Sequence, residues 1–127
     1  MPAIELYTRK LESVDNILTE VFGYEVVYVH GESFKRLVHP ETKDEIMLYD
    51  YEKGDHVAPF WRDVFTDQKG IGIELCLRVK NLSEIYQKID KIEEVWNSTI
   101  TKKPWGTEEF YFRLDEGYLF RIIEGSL

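Results

Sequence analysis

The stretch Ile73-Glu74-Leu75-Cys76-Leu77-Arg78-Val79-Lys80-Asn81-Leu82 decides the fold, because apolar and polar residues alternate along it and a helical pattern takes over at its end. A period of two marks a strand with one covered face. Leu82, Ile85, Tyr86, Ile89 and Ile92 then recur at helical spacing, and Asn81 with Glu84 three residues on has the spacing of a capping box. Near the N-terminus, Ile4-Glu5-Leu6-Tyr7-Thr8-Arg9-Lys10-Leu11 makes the same passage from strand to helix. Two such echoes point to two copies of one supersecondary unit, and to a cleft between them.

Working outward, Val14, Ile17, Leu18, Val21 and Phe22 form an apolar helical face, with Ser13 expected at the N-cap and Gly23 as the left-handed C-terminal stop. Tyr24 to Val29, Phe34 to Val38 and Glu45 to Tyr49 read as strands, parted by turns at His30-Gly31-Glu32 and His39-Pro40-Glu41-Thr42. Residues 51–71 carry Gly54, Pro59 and Gly70 among many charges and read as a linker, with a short helix expected from Phe60 to Phe65. Val95 to Ile100, Phe110 to Leu114 and Leu119 to Ile123 supply three further strands. Each half is therefore β-α-β-β-β: module one over 3–50, the linker over 51–71 and module two over 72–124, in a single domain of 1–127.

The chain has 127 residues, 43% of them hydrophobic and 14% aromatic, enough for a packed interior. A formal net charge of −8 argues against nucleic-acid or anionic-membrane partners, which would be repelled. No apolar run is long enough to span a bilayer, and Met1-Pro2-Ala3-Ile4-Glu5 lacks the basic and apolar regions of a signal peptide. One cysteine, Cys76, rules out an internal disulfide, so a cytoplasmic location is expected.

Pro104-Trp105-Gly106, Phe110-Tyr111-Phe112-Arg113 and Glu116-Gly117-Tyr118-Leu119-Phe120-Arg121 together resemble the C-terminal signature of the vicinal oxygen chelate superfamily. That superfamily includes glyoxalase I, extradiol dioxygenases and the fosfomycin- and bleomycin-resistance proteins. Val21-Phe22-Gly23-Tyr24 is similar to its Leu-Gly-Phe element, and Asn81-Leu82 stands where an Asp-Leu pair usually opens the second helix. Leu114-Asp115-Glu116-Gly117 replaces the common Asp-Pro-Asp-Gly turn, so only its final acid and glycine remain. The similarity runs from about residue 3 to 124. It implies an α+β fold in which two βαβββ modules form a cupped, eight-stranded mixed sheet with a helix behind each half. Relatives commonly dimerise, which implies a homodimer here.

Metal-using relatives draw one ligand from the first and one from the last strand of each module. With strand parity, those positions map to Ala3 or Glu5, Met47, Glu74 and Arg121. A thioether and a guanidinium do not serve a hard or borderline cation, so no metal and no cofactor is expected. Arg121 is expected to pair with Glu74 or Glu5, and Arg121→Ala to weaken ligand binding more than it alters the fold.

The residues expected to bind ligand are Glu5, Tyr7, Met47, Tyr49, Trp61, Glu74, Cys76, Trp105, Tyr111 and Arg121. Trp61 and Trp105 fall on loops, where a large aromatic suits a planar ligand, whereas Trp96 reads as core. Cys76 reads as a small buried filler, since no histidine beside it in sequence would activate it. His30, His39 and His56 have no metal-ligand spacing and read as surface residues. Gly106 is expected to let the Trp105 loop turn tightly.

The resemblance implies metal-independent binding or sequestration of a small organic molecule, as in the bleomycin-resistance branch. The alternatives are a metal-dependent lyase, isomerase or dioxygenase related to glyoxalase I, and a regulatory or scaffolding domain with a vestigial cleft.

Overall fold

Alternation separates two faces in most of the strands, and in each half a helix covers the apolar one. The computed structural model describes residues 3–54 and 69–125. The chain divides into two compact units, Met1–Phe65 and Thr66–Leu127. The helix expected at Phe60 to Phe65, together with Trp61 and His56, lies outside the described residues.

In the first unit, β1 (Ile4–Thr8), β2 (Glu25–His30), β3 (Phe34–Val38) and β4 (Glu45–Asp50) form a sheet in the order β1-β4-β3-β2. The β1–β4 pair is parallel and the other two are antiparallel. Leu6, Leu37, Ile46 and Leu48 are buried on the side of helix α1 (Leu11–Asn16), which continues as a π-helical turn over Ile17–Val21. Leu11, Val14, Ile17, Leu18 and Phe22 make up its buried stripe.

Helix α1 begins earlier than its apolar spacing predicts. Lys10 rather than Ser13 holds the N-cap position, and Thr8 Oγ1 accepts the Lys10 N–H at 2.8 Å. Leu11 recruits the extra turn because it buries against the sheet side. Gly23 closes the helix as expected, with φ +80°, while the Tyr24 N–H reaches the Leu18 carbonyl at 3.0 Å. Left-handed backbone there would cost a residue with a β-carbon about 1 kcal/mol.

The second unit contains β5 (Glu74–Arg78), α2 (Leu82–Asp90), β6 (Trp96–Asn97), β7 (Thr101–Lys102), β8 (Glu108–Arg113) and β9 (Leu119–Glu124). Its sheet runs β5-β9-β8-β6, and β7 also pairs with β8. The expected strand from Val95 to Ile100 is thus two short strands on the same edge of β8, giving nine strands among the described residues. At the break, the Tyr111 N–H is accepted by Ser98 Oγ rather than by a ladder carbonyl, at 2.9 Å. A side-chain acceptor keeps the amide satisfied while the edge departs from regular pairing.

Phe110, Phe112, Phe120 and Ile122 are buried on the face covered by Leu82, Ile85 and Ile89 of α2. Phe112 and Phe120 stack with centroids 4.6 Å apart and Tyr86 meets Phe110 edge-on at 5.2 Å.

The capping box takes a different form from its sequence signature. Asn81 makes no side-chain bond to the helix backbone; its amide donates to Glu84 Oε2 at 3.3 Å. Glu124, at the far end of β9, instead accepts the Leu82 N–H at 2.9 Å. A carboxylate at a helix N-terminus satisfies an otherwise unpaired donor and opposes the helix dipole. Glu124→Ala should therefore cost about 1 kcal/mol of unfolding free energy, measured by urea titration, and Glu124→Gln less. An unchanged midpoint for Glu124→Ala would remove this cap from the account.

Candidate functional site

Register places the polar residues of the second unit on one face. Cys76 stands opposite Arg121 across β5–β9, and Tyr111 opposite Arg121 across β9–β8. Glu74, Cys76, Glu109, Tyr111 and Arg121 therefore share the sheet face that α2 does not cover. Alternation expects Leu75 of β5 and Phe120 and Ile122 of β9 to pack on the helix and Glu74 and Cys76 to face away from it. The structure agrees: Leu75, Phe120 and Ile122 are buried while Glu74 and Cys76 are exposed.

The centre of this face is an ion pair that the sequence reading missed. Arg121 Nε donates to Glu109 Oε1 at 2.7 Å and Nη2 to Glu109 Oε2 at 3.0 Å. Thr107 Oγ1 donates to Glu109 Oε2 at 2.5 Å, and Trp105 Nε1 reaches the same oxygen at 3.3 Å. The Glu109 side chain is 0% exposed and that of Arg121 21%. Glu74, which with Glu5 was an expected partner, also pairs with Arg121 but at longer range, its Oε1 being 3.8 Å from Arg121 Nη1. Strand β8 begins at Glu108, two residues before the expected start at Phe110. Alternation of Glu109, Tyr111 and Arg113 was the signal that would have found the buried acid.

The electrostatics follow from this geometry. Hydrogen bonds from Arg121, helped by Thr107 and Trp105, hold the Glu109 carboxyl down at about 2 against the opposing effect of burial. The same pairing pushes the Arg121 guanidinium further up, so it stays charged at any working pH. Burial raises the Cys76 thiol, and the neighbouring Glu74 carboxylate raises it further. Tyr111 is raised by burial and by the Glu74 charge. At neutral pH the face thus presents a protonated thiol and a protonated phenol beside carboxylates.

Glu109 makes stability depend on pH. Its folded value lies below the ordinary 4.5, so its contribution is complete above that value and is lost as pH falls from about 4.5 through about 2. The difference corresponds to roughly 3 kcal/mol. Urea unfolding from pH 7 to 2 should show wild type and Glu109→Gln converging over that window, and parallel curves would contradict the assignment.

Trp105 is exposed on a turn, with Gly106 after it at φ +100°, as the tight loop requires. Cys76 is exposed rather than a buried filler, its Sγ 3.4 Å from Glu74 Oε1, because β5 turns it to the uncovered face. Trp96 is 55% exposed rather than core: β6 is an edge, and the Arg113 guanidinium lies over its ring at 5.6 Å. In the first unit, Glu5 stands opposite Met47 and Tyr7 opposite Tyr49, so these four share the face away from α1. The Tyr7 and Tyr49 rings meet edge-on at 5.6 Å, and burial, then Glu5, raises the Tyr7 hydroxyl. His39 braces its own turn, Nδ1 accepting the Glu41 and Thr42 N–H groups.

Adjoining Glu74 is a groove of about 690 Å³, lined among others by Ile73, Trp96 and Leu119, by the acids Glu74, Glu94 and Asp115, and by Lys69 and Arg113. Glu74 belongs to both the groove and the polar cluster.

Solved structures share this arrangement of strands and helices. Fosfomycin resistance protein FosX from Listeria monocytogenes superposes with a TM-score of 0.73 at 17% identity, covering 100% of this chain and 93% of that one. Lactoylglutathione lyase from Agrobacterium tumefaciens gives 0.68 at 18%, covering 98% and 92%. A bleomycin resistance determinant encoded on a transposon gives 0.61 at 16%, covering 100% and 98%. The fold is that of the vicinal oxygen chelate superfamily. No protein-family model matches the chain, and neither does any curated protein sequence.

A FosX variant of the same fold is solved with Mn(II), and the residues here do not fit a divalent metal. Arg121 occupies the last-strand position, and its charge would repel a cation bound beside it. Both oxygens of Glu109 already accept hydrogen bonds. The β4 position is the thioether Met47, a poor partner for a hard or borderline ion. Among the described residues, no group of three or more His, Cys, Asp or Glu is placed to hold a metal ion. No described helix is long and apolar enough to cross a membrane.

Proposed function

We propose that this chain binds and sequesters a small organic molecule without a resident metal, as a cytoplasmic homodimer, using the polar sheet face of its second unit. The observation that carries this reading is the bidentate Arg121–Glu109 pair. Because Arg121 is neutralised by a buried acid, the cluster it forms with Glu109 and Glu74 has a net negative charge. The more exposed carboxylate is Glu74, beside Cys76 and the groove. Such a face favours a cationic or hydrogen-bond-donating ligand, with Trp105 and Tyr111 offering aromatic surface to a planar part. The raised thiol and phenol supply hydrogen-bond donors rather than nucleophiles, which supports binding without bond making.

The test is a thermal-shift screen of the purified protein against planar organic cations, matched neutral analogues and matched anions. Cations should stabilise most, and Glu74→Gln should abolish the preference for charge. Preferential stabilisation by anions would overturn the reading. Elemental analysis with close to one Zn, Ni, Fe or Mn per chain would restore the metal-dependent lyase, isomerase or dioxygenase.

A further inference from the structure

Among the described residues, strand β2 is an edge of the first unit's sheet, hydrogen-bonded to β3 alone. Its sequence, Glu25-Val26-Val27-Tyr28-Val29-His30, is exposed at every position. Val26, Val27, Tyr28 and Val29 are between 39% and 53% exposed and form one continuous run. The strand carries no lysine or proline, and the features that blunt it as an edge are Glu25 at its start and a bulge at Val27. A register shift between Val26 and Tyr28 leaves Val27 as an extra residue and divides the apolar side chains between the faces. Val29 stands opposite Lys35, on the α1 side, while Tyr28 stands opposite Arg36 and packs on Phe34. Scattered exposed apolar residues are ordinary, but a continuous apolar strand edge that no other described strand pairs with is a pairing surface.

We propose that β2 pairs antiparallel with β2 of a second copy of this chain, about a two-fold axis between Val27 and Tyr28. This deepens the homodimer reading above by assigning its surface. Polar complementarity, a Glu25 carboxylate acceptor against a His30 imidazole N–H donor, selects the occupant and the register. In that alignment Glu25 of each copy faces His30 of the other, Val26 faces Val29, and Val27 faces Tyr28. The two polar ends of the strand thus meet opposite partners twice, and the apolar centre meets itself. A slip by one residue would set Glu25 against Val29 and leave His30 beyond the match. One strand pair falls at the small end of specific interfaces, so the dimer is concentration-dependent.

Sedimentation velocity of the full chain over a dilution series, with hydrogen exchange at the two extremes, tests this. The expected result is reversible monomer–dimer exchange, with amides of residues 25–30 slowing as concentration rises. Val29→Lys should weaken the dimer by about tenfold or more, with its far-UV spectrum and melting behaviour at low concentration unchanged. Glu25→Lys and His30→Glu should each weaken it, and the double variant should recover it, because the lysine introduced at position 25 of each copy would then face the glutamate introduced at position 30 of the other. A monomer throughout the series overturns both the surface and the homodimer. A dimer whose protected amides lie elsewhere overturns the surface alone, as does a double variant no better than the singles. Open-ended growth in place of a closed dimer overturns the two-fold register.

Discussion

Arg121→Ala lowers the unfolding free energy by about 3–5 kcal/mol, because it strands Glu109 as a buried, unpaired carboxylate. The sequence-based expectation was instead that the substitution acts mainly on ligand binding. That expectation assumed the more exposed Glu74 as partner, and Glu74 is only the more distant of two acids. Thr107 and Trp105 still donate to Glu109 in the variant, but neither carries the charge that balances it. Part of the loss should be recovered at low pH, since the Glu109 carboxyl of the variant takes up its proton more readily. The double variant Arg121→Met/Glu109→Leu should recover most of it at neutral pH, because replacing both partners removes the desolvated charge. Urea unfolding of all three forms checks the claim, and an unchanged midpoint for Arg121→Ala would show that the pair does not hold the sheet.

Phe112→Ala costs about 3–5 kcal/mol, whereas Tyr111→Ala, its immediate neighbour, costs far less. Phe112 is fully buried, stacked on Phe120 under α2, and its removal leaves a cavity that a sheet layer closes poorly. Tyr111 points to the other face and is only half-buried, so its loss should appear in ligand binding instead. Comparable destabilisation by both would place the strand one residue out of register, and the assignments of Glu109 and Arg121 would fail with it.

What was legible in the sequence was what alternation and helical spacing carry. The two faces of β5, the buried face of α2 and the glycine stop after the first helix all follow from local pattern. Glu109 was hidden because an acid beside Phe110 reads as the end of a loop. Only the partners that converge on it, from Thr107, Trp105 and a strand 12 residues away, make its burial tolerable. Trp96 read as core because large aromatics usually are, yet the split of the β8 partner into β6 and β7 leaves it at an edge. Ser13 and Asn81 have the chemistry of caps, but tertiary contacts supplied by Leu11 and Glu124 set the helix starts. Patterns within a few residues were readable, and those joining distant segments were not.

The carboxylate of Glu124 on the Leu82 amide has a consequence for a chain made from its N-terminus onward. Helix α2 leaves the ribosome 42 residues before the group that closes its first turn. Its apolar stripe must also wait, since β9 runs between β5 and β8 at the middle of the sheet. During synthesis the second unit therefore holds a frayed helix and an incomplete sheet until β9 docks. One late strand then completes the sheet, the cap and the Arg121–Glu109 pair together.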